Sequence, residues 1–150
     1  MAKVNGVKPY ISTVGRRREA VARVRLYTSG AAKVTIAGTD LKKGDIFVNG
    51  KPITEYFKFF TYGPSYNKLL VDTDTAGKSI FTIKVIGGGL SGQLDAVVLG
   101  MARALDKMDR EKFHKMLRDN GYLTRDARIR ERRKVGMGGK ARRKKQSPKR

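Results

Sequence analysis

The sequence contains no cysteine, no tryptophan and a single histidine, His114. The lack of cysteine excludes disulfide bonds, thiolate zinc sites and cysteine nucleophiles, and one imidazole alone cannot make a His-rich metal site. No apolar run approaches the ~20 residues of a membrane-spanning helix. The first residues have no apolar stretch and are neither Arg-rich nor Ser-rich, so we expect no secretory or transit peptide. We also expect no cofactor and no bound metal.

Acidic residues are scarce too: 13 Asp and Glu stand against 34 Lys and Arg, which gives a formal net charge of +21 over 150 residues. Such self-repulsion is tolerated best beside a polyanion, and nucleic acid is the commonest polyanion, followed by an anionic membrane. Residues 121–150 alone hold 13 basic and 2 acidic residues. Because 39% of the chain is hydrophobic, we expect one folded body with a modest core and a strongly basic C-terminal extension.

Two stretches alternate with the period of a half-buried strand. In residues 20–27 the even-numbered positions are apolar, whereas the odd-numbered ones include Arg23 and Arg25. We expect the open face here to present Arg17, Arg23 and Arg25 in a row. Residues 79–86 alternate in the same way. A further strand is predicted over residues 10–14, with Gly15 breaking it or marking a bulge.

The remaining pattern indicates turns and helices. Asn49-Gly50 after the apolar residues 46–48 predicts a tight turn. Residues 58–78 show no clear pattern, except that residues 69–71 fit either a short helix or a short strand. Residues 94–108 keep the spacing of one buried helical stripe, and Asp109 is expected to cap a second helix that ends at Asn120-Gly121. Strands followed by helices predict an α+β fold with the helices on one side of a mixed sheet.

Residues 87–92 form a glycine-rich loop, Gly-Gly-Gly-Leu-Ser-Gly, between a predicted strand and a predicted helix. Such a loop can present backbone N–H groups to a phosphate, but it has neither the Walker spacing nor the dinucleotide-binding spacing. We interpret it as a structural turn that can touch an RNA phosphate. A nucleotide site of the kind found in small-molecule kinases is the alternative.

Several side chains that are typical of chemical sites have simpler interpretations. Asp126 and Glu131 are embedded among arginines, which favours local ion pairs over acid–base catalysis. The aromatic residues between positions 56 and 66 favour packing, with stacking on single-stranded bases as the alternative. His114 is interpreted as a half-buried packing residue. We therefore expect a protein that is not an enzyme.

Four blocks occur in an order that we recognise. They are Gly15-x-Arg17-Arg18-x-Ala20-x-Ala22-Arg23-Val24, Gly87-Gly88-Gly89-x-x-Gly92-Gln93-x-x-Ala96, Gly100-x-Ala102-Arg103-Ala104-Leu105, and Leu123-Thr124-Arg125-Asp126-x-Arg128-x-x-Glu131-Arg132-Arg133-Lys134. With these blocks the chain resembles the bacterial-type ribosomal protein S9 family of the small ribosomal subunit. The likeness covers about residues 9–150, although Gly138-Gly139, Ser147 and Pro148 depart from the family pattern.

The resemblance implies a two-layer α+β fold of the type named after the second domain of ribosomal protein S5, with a left-handed strand–helix–strand crossover. It divides the chain into a lead-in at residues 1–9, a globular RNA-binding domain at residues 10–122 and an extended basic tail at residues 123–150. It also implies a place in the ribosome of the cytoplasm, with an organellar form left open, and no membrane or small-molecule substrate.

The implied partners are the 3′ major domain of small-subunit rRNA in the head, neighbouring head proteins, and the anticodon stem-loop of peptidyl-site tRNA. Basic side chains in the body and tail are the expected rRNA contacts. They are Arg16, Arg17, Arg18, Arg23, Arg25, Arg125, Arg128, Arg130, Arg132, Arg133, Lys134, Lys140, Arg142, Arg143, Lys144 and Lys145. The expected tRNA contacts are Lys149 and Arg150. Two alternatives to the ribosomal interpretation are a kinase-like phosphate binder and a general basic binder of nucleic acid or membrane surfaces.

Overall fold

The computed structural model describes residues 10–27, 35–36, 39–58 and 62–130. Within them, the strands are β1 (Tyr10–Arg17), β2 (Ala20–Tyr27), β3 (Thr35–Ile36), β4 (Thr39–Asp40), β5 (Ile46–Val48), β6 (Lys51–Pro52) and β7 (Ile80–Ile86). The helices are α1 (Ile53–Tyr56), α2 (Gly63–Asp72), α3 (Leu90–Met108) and α4 (Arg110–Asp119). The predicted lead-in at residues 1–9 and the tail from residue 131 lie outside the described residues.

Five strands form one mixed sheet in the order β1-β2-β7-β5-β6, and β3 pairs with β4 in a separate two-stranded sheet. In the larger sheet β5 runs parallel to β7, whereas the other neighbouring pairs are antiparallel. The predicted α+β class with a mixed sheet is confirmed. Among the helices of the described ranges, none is long and apolar enough to cross a bilayer.

The core lies between one face of the sheet and α3. The even-numbered residues of β2 are fully buried there, and Phe81, Ile83 and Val85 of β7 continue the same face. From α3 the predicted stripe supplies Leu94 and Met101, which are also buried. Since α3 contacts β1, β2 and β7 as well as α2 and α4, one long helix organises the apolar layer, and the opposite sheet face is left open.

Helix ends follow the sequence closely at α4. The Asp109 side chain accepts a hydrogen bond from the Lys112 backbone N–H at 3.1 Å, as expected of an N-cap. The helix ends before Asn120 and Gly121, and the left-handed φ of +75° at Gly121 closes it. Both predicted boundaries are confirmed.

Two sequence-based expectations are corrected. Gly15 neither breaks β1 nor bulges, because the strand runs through it to Arg17 in unbroken register with β2. The unassigned stretch of residues 58–78 contains α2, where Pro64 stands in the first turn and Tyr66, Leu69 and Leu70 are buried. Proline fits there because the first helical N–H groups have no intrahelical acceptor.

Candidate nucleic-acid interface

The open face of the sheet collects side chains from three adjacent strands. Residues directly opposite each other across a strand pair point to the same face. The register pairs Val14 of β1 with Arg23 of β2, and Arg23 with Lys84 of β7. Arg16 and Arg25 lie on the same face by strand alternation. We call this surface, with Arg16, Arg23, Arg25 and Lys84, the basic sheet face.

The basic sheet face carries four positively charged side chains. All four of its cations are exposed, and none of them forms an ion pair with another described residue. A groove of about 940 Å³ runs over it, lined by Arg23, Arg25 and Lys84 among others. Arg23 and Lys84 are direct cross-strand neighbours, and like charges in that position repel each other. The arrangement therefore suits an anionic partner.

Aromatic rings border the charged part of this face. The Tyr10 and Tyr27 rings lie 5.6 Å apart, centroid to centroid, at the end of the β1–β2 pair. The Arg25 guanidinium carbon lies 4.9 Å from the centre of the Tyr10 ring, which is within cation–π range. Arginine stacked on tyrosine gives a surface that can take both phosphates and bases.

The prediction that Arg17 stands in a row with Arg23 and Arg25 is wrong. Arg17 pairs with Ala20 in the register, so it belongs to the packed face. Its exposed fraction is 8%, and its guanidinium is bonded to other parts of the chain. The two-residue turn at Arg18 and Glu19 inverts the parity between the strands, so odd positions of β1 share a face with even positions of β2.

The other predicted rRNA contacts in the described ranges lie in two places. Arg18 is exposed in the β1–β2 turn, where its φ is +51°. Arg125, Arg128 and Arg130 are exposed in the extended segment after α4. The remaining predicted rRNA contacts, and the predicted tRNA contacts, lie outside the described residues: Arg132, Arg133, Lys134, Lys140, Arg142, Arg143, Lys144, Lys145, Lys149 and Arg150.

Arg128 is the member of this set that is already paired. Its Nε and Nη2 atoms donate to the Asp126 carboxylate at 2.7–3.1 Å, and its backbone N–H donates to Asp126 Oδ1 at 2.9 Å. These hydrogen bonds, together with the nearby Arg17 guanidinium, hold the pKa of the Asp126 carboxyl well below its usual range. The predicted local ion pairing of Asp126 is confirmed, and Glu131 lies outside the described residues.

The glycine loop is shaped by close packing against the β1–β2 turn. Gly87 and Gly88 have left-handed φ values of +74° and +63°, and a Cβ on Gly87 would lie 2.3 Å from the Glu19 carbonyl oxygen. The Gln93 side chain donates to the Gly87 carbonyl at 2.9 Å and accepts from the Tyr56 hydroxyl at 2.9 Å. This geometry favours the structural interpretation of the loop over a nucleotide site.

His114 and the aromatic cluster fit their packing interpretations. The His114 side chain is 35% exposed, with Nδ1 2.7 Å from Asp106 Oδ1. The Phe57 ring makes edge contacts with Tyr56 and Tyr62 and is buried, as is Tyr66. Phe59 and Phe60 lie outside the described residues. In the described part of the chain no three metal-ligating side chains converge.

Sequence reasoning placed Tyr27 on the face of Arg23 and Arg25 but missed Lys84 and Tyr10 as members of this surface. The signal for Lys84 was present, because it falls out of phase with the apolar residues of its strand. The alternation could not show that β2 and β7 are neighbouring strands, because they are far apart in the sequence and pair only in the folded sheet.

Known proteins are similar in sequence to this chain over most of its length. Residues 15–150 match the family model of ribosomal protein S9/S16. A small ribosomal subunit protein uS9 from Dehalococcoides mccartyi is 43% identical over 129 residues, which cover 85% of this chain and 86% of the relative. One from Bifidobacterium animalis subsp. lactis is 42% identical over 136 residues, or 91% of this chain and 75% of the relative. The chain therefore belongs to the ribosomal protein S9/S16 family, whose members are structural proteins and not enzymes.

Proposed function

We propose that this chain is a structural constituent of the small ribosomal subunit and is held there by rRNA. Membership of the S9/S16 family supports this proposal, as do the relatives that bear the name small ribosomal subunit protein uS9. The same membership confirms that the chain is not an enzyme. A net charge of +21 fits a protein whose normal surroundings are polyanionic.

The basic sheet face is the observation that carries the proposal. Evenly spaced cations on neighbouring strands lie about 5 Å apart across a pair and about 7 Å apart along a strand, close to the spacing of phosphates along RNA. The direct opposition of Arg23 and Lys84 costs the isolated fold about 0.2–1 kcal/mol by like-charge repulsion. A phosphate between the two cations converts that repulsion into attraction.

The mechanism is electrostatic positioning. Arg and Lys side chains neutralise phosphates and release the counterions condensed on RNA, and the folded body fixes the register of these contacts. Arginine contributes most because its planar guanidinium can donate two parallel hydrogen bonds to one phosphate. Arg18 in the β1–β2 turn and Arg125 and Arg130 after α4 are further exposed cations of the body, and the residues beyond position 130 hold ten more basic residues.

The finer assignment follows the family resemblance. In this proposal the body, residues 10–122, binds the 3′ major domain of the rRNA in the head, next to other head proteins. The tail, residues 123–150, reaches from there toward the peptidyl-site tRNA, where Lys149 and Arg150 meet the anticodon stem-loop. The proposal also assigns the chain the fold of the second domain of ribosomal protein S5. The parallel pairing of β5 and β7 supports this assignment, because a strand–helix–strand crossover joins parallel strands.

A binding titration with a matched control tests the basic sheet face. The full chain is titrated with a transcript of the 3′ major domain over a range of salt concentrations. In the double variant Arg23→Gln/Lys84→Gln, the slope of log K against log salt should fall by about 2, which is about 1 for each lost phosphate contact. The control Lys107→Gln/Lys115→Gln removes the same charge from exposed positions on α3 and α4 and should leave the slope nearly unchanged.

An equal fall of the slope in the two double variants would mean that RNA binding depends only on the total charge, and it would contradict a specific RNA-binding face. An unchanged slope in the Arg23/Lys84 variant would contradict it as well. The kinase-like alternative predicts saturable binding of ATP with Mg²⁺ in isothermal titration, and the ribosomal proposal predicts none. The general-binder alternative predicts release from small subunits at high salt, whereas an integral component should stay with the particle.

A further inference from the structure

Arg17 is the one charged residue that is buried in the described part of the chain, with an exposed fraction of 8%. A buried guanidinium without partners is costly, so its bonds indicate what it does. It stands at the end of β1, directly before the β1–β2 turn. Its partners come from segments far along the sequence.

The Arg17 guanidinium bonds to two distant segments at once. Its Nε atom donates to Asp95 Oδ2 on α3 at 3.3 Å. Its Nη2 atom lies 2.8 Å from Asp126 Oδ2, and its Nη1 atom donates to the Arg128 carbonyl oxygen at 2.8 Å. We call Arg17, Asp95, Asp126 and Arg128 the Arg17 clasp.

The clasp holds the backbone of residues 126–128 as well as a side chain. Besides the Arg128 carbonyl, Nη1 reaches the Asp126 carbonyl oxygen at 3.5 Å. Within the same short segment, the Asp126 carboxylate accepts a hydrogen bond from the Arg128 backbone N–H at 2.9 Å. Because carbonyls and carboxylate converge on one planar donor, both the position and the direction of the chain are fixed at this point.

The clasp adds no net charge to the surface. Two guanidinium groups, of Arg17 and Arg128, face the two carboxylates of Asp95 and Asp126. It therefore contributes little to the attraction of phosphates. Yet it lies directly before residues 131–150, which hold ten basic residues and one acidic residue. Its effect on RNA binding must come from geometry.

We propose that Arg17 is a positioning residue, which clasps residues 126–128 to the body and thereby sets where the basic C-terminal residues leave it. Because residues 126–128 are already held in place, less conformational entropy is lost when RNA binds. The same restraint raises the effective concentration of the basic C-terminal residues near the RNA. The consequence for RNA rests on the proposed function, whereas the clasp itself does not.

Arg17→Lys tests the hydrogen bonds of the Arg17 guanidinium, because lysine keeps the positive charge but lacks the planar set of N–H donors. The chain contains no cysteine, so spin labels can be placed by Lys115→Cys and Ile129→Cys at two exposed positions. The distance distribution between the labels should be narrow in the parent chain and broad after Arg17→Lys. Arg110→Lys, the same exchange at an exposed position on α4, should leave it narrow.

RNA affinity is the second measurement on the same variants. Arg17→Lys should lower the affinity for the 3′ major domain about 10- to 100-fold, because the segment must then be ordered on binding. If Arg17 were instead a phosphate contact, the affinity would also fall, but the distance distribution between the labels would stay narrow. Where circular dichroism shows that Arg17→Lys fails to fold, Asp126→Asn opens the clasp from its other side and should also broaden the distribution.

The outcomes separate the clasp from the function. A distribution that stays narrow in Arg17→Lys and Asp126→Asn overturns the inference. A broadened distribution with unchanged RNA affinity overturns the claim that the clasp matters for binding. If the parent chain does not bind the RNA at all, the proposed function fails, and the label distances still decide whether Arg17 positions the segment.

Discussion

Gly15 on β1 and Gly100 on α3 lie against each other with no side chain between them. A Cβ on Gly15 would come within 2.6 Å of the Gly100 nitrogen, and one on Gly100 within 3.3 Å of the Gly15 nitrogen. The contact is reinforced by the Thr13 hydroxyl, which donates to the Gly100 carbonyl at 2.7 Å. This close approach sets the distance between the sheet and the helix that organises the core.

Gly15→Ala should therefore destabilise the fold by about 1–3 kcal/mol, as overpacking does in a well-packed interior. The added methyl group would lie 1.9 Å from the Ala96 carbonyl oxygen, and a helix backbone cannot yield locally. Urea denaturation followed by circular dichroism measures the change. Gly63→Ala is the control, because its nearest neighbour is a side-chain atom 4.0 Å away. Equal midpoints for the two variants would show that the contact is not tight.

Asn49→Asp should lower the free energy of unfolding by about 1–3 kcal/mol, since it leaves the part-buried Val85 carbonyl without its side-chain donor. The Asn49 amide donates to the Val85 carbonyl at 3.0 Å and accepts from the Val85 N–H at 2.9 Å, so it continues the β5–β7 ladder past the end of β5. The carboxylate keeps the acceptor and loses the donor. Asn67→Asp makes the same exchange at an exposed position on α2 and should change the free energy of unfolding by less than about 0.5 kcal/mol. Equal free energies of unfolding for the two variants would argue against a stabilising role of the hydrogen bonds between Asn49 and Val85.

The Tyr122 phenol should ionise at unusually high pH. Burial, followed by its hydrogen bond to the Asp72 carboxylate at 2.9 Å, raises the pKa of Tyr122 to about 12. Because the folded state holds this proton more tightly than the unfolded state, with its ordinary pKa of about 10, its contribution to stability is complete below pH ~10 and is lost as the pH rises through about 12.

Ultraviolet titration of phenolate absorbance, taken as the difference between the parent chain and Tyr122→Phe, isolates this group. Asp72→Asn should lower the pKa of Tyr122 by removing the neighbouring negative charge. Tyr27→Phe serves as the control for the loss of any one tyrosine. A difference curve centred near the ordinary pKa would contradict the link between the end of α4 and α2.

Removing the last two residues, Lys149 and Arg150, should spare assembly of the small subunit and weaken the hold on peptidyl-site tRNA. The reason is that most basic residues remain for rRNA, whereas the proposed tRNA contact is lost. Filter retention of tRNA on reconstituted subunits measures this, and sedimentation checks assembly. Replacing the pair by two alanines separates the loss of charge from the loss of length. Full tRNA retention in both variants would refute the assigned role.

Local patterns in the sequence predicted the strands and helices whose apolar residues all lie on one buried face. The alternation in β2 and β7, the stripe of α3 and the Asp109 cap are properties of neighbouring residues, so they could be found without the fold. The tight turn at Asn49-Gly50 is confirmed by left-handed φ values of +50° and +81°. In each case the local preference and the tertiary contacts favour the same structure.

The predictions were wrong where the local structure depends on contacts with residues that are distant in the sequence. The face on which Arg17 lies depends on the parity of a two-residue turn. The straight course of β1 through Gly15 depends on α3, whose residues Ala96 and Gly100 contact Gly15 from more than 80 positions later in the chain. The helix α2 was predicted only in part, as a short helix or strand at residues 69–71, because its apolar residues are few and exposed Val71 interrupts their stripe. The basic sheet face was only half predicted, since Lys84 comes from a strand that is distant in sequence.

The position of the chain in a cryo-EM map of the small subunit from its own source cells tests the central claim most directly. We predict density for the chain in the head, with Arg23, Arg25 and Lys84 against rRNA phosphates and the segment after Arg128 entering RNA. A map in which the particle lacks the chain, or in which this sheet face meets solvent or only protein, would contradict the account.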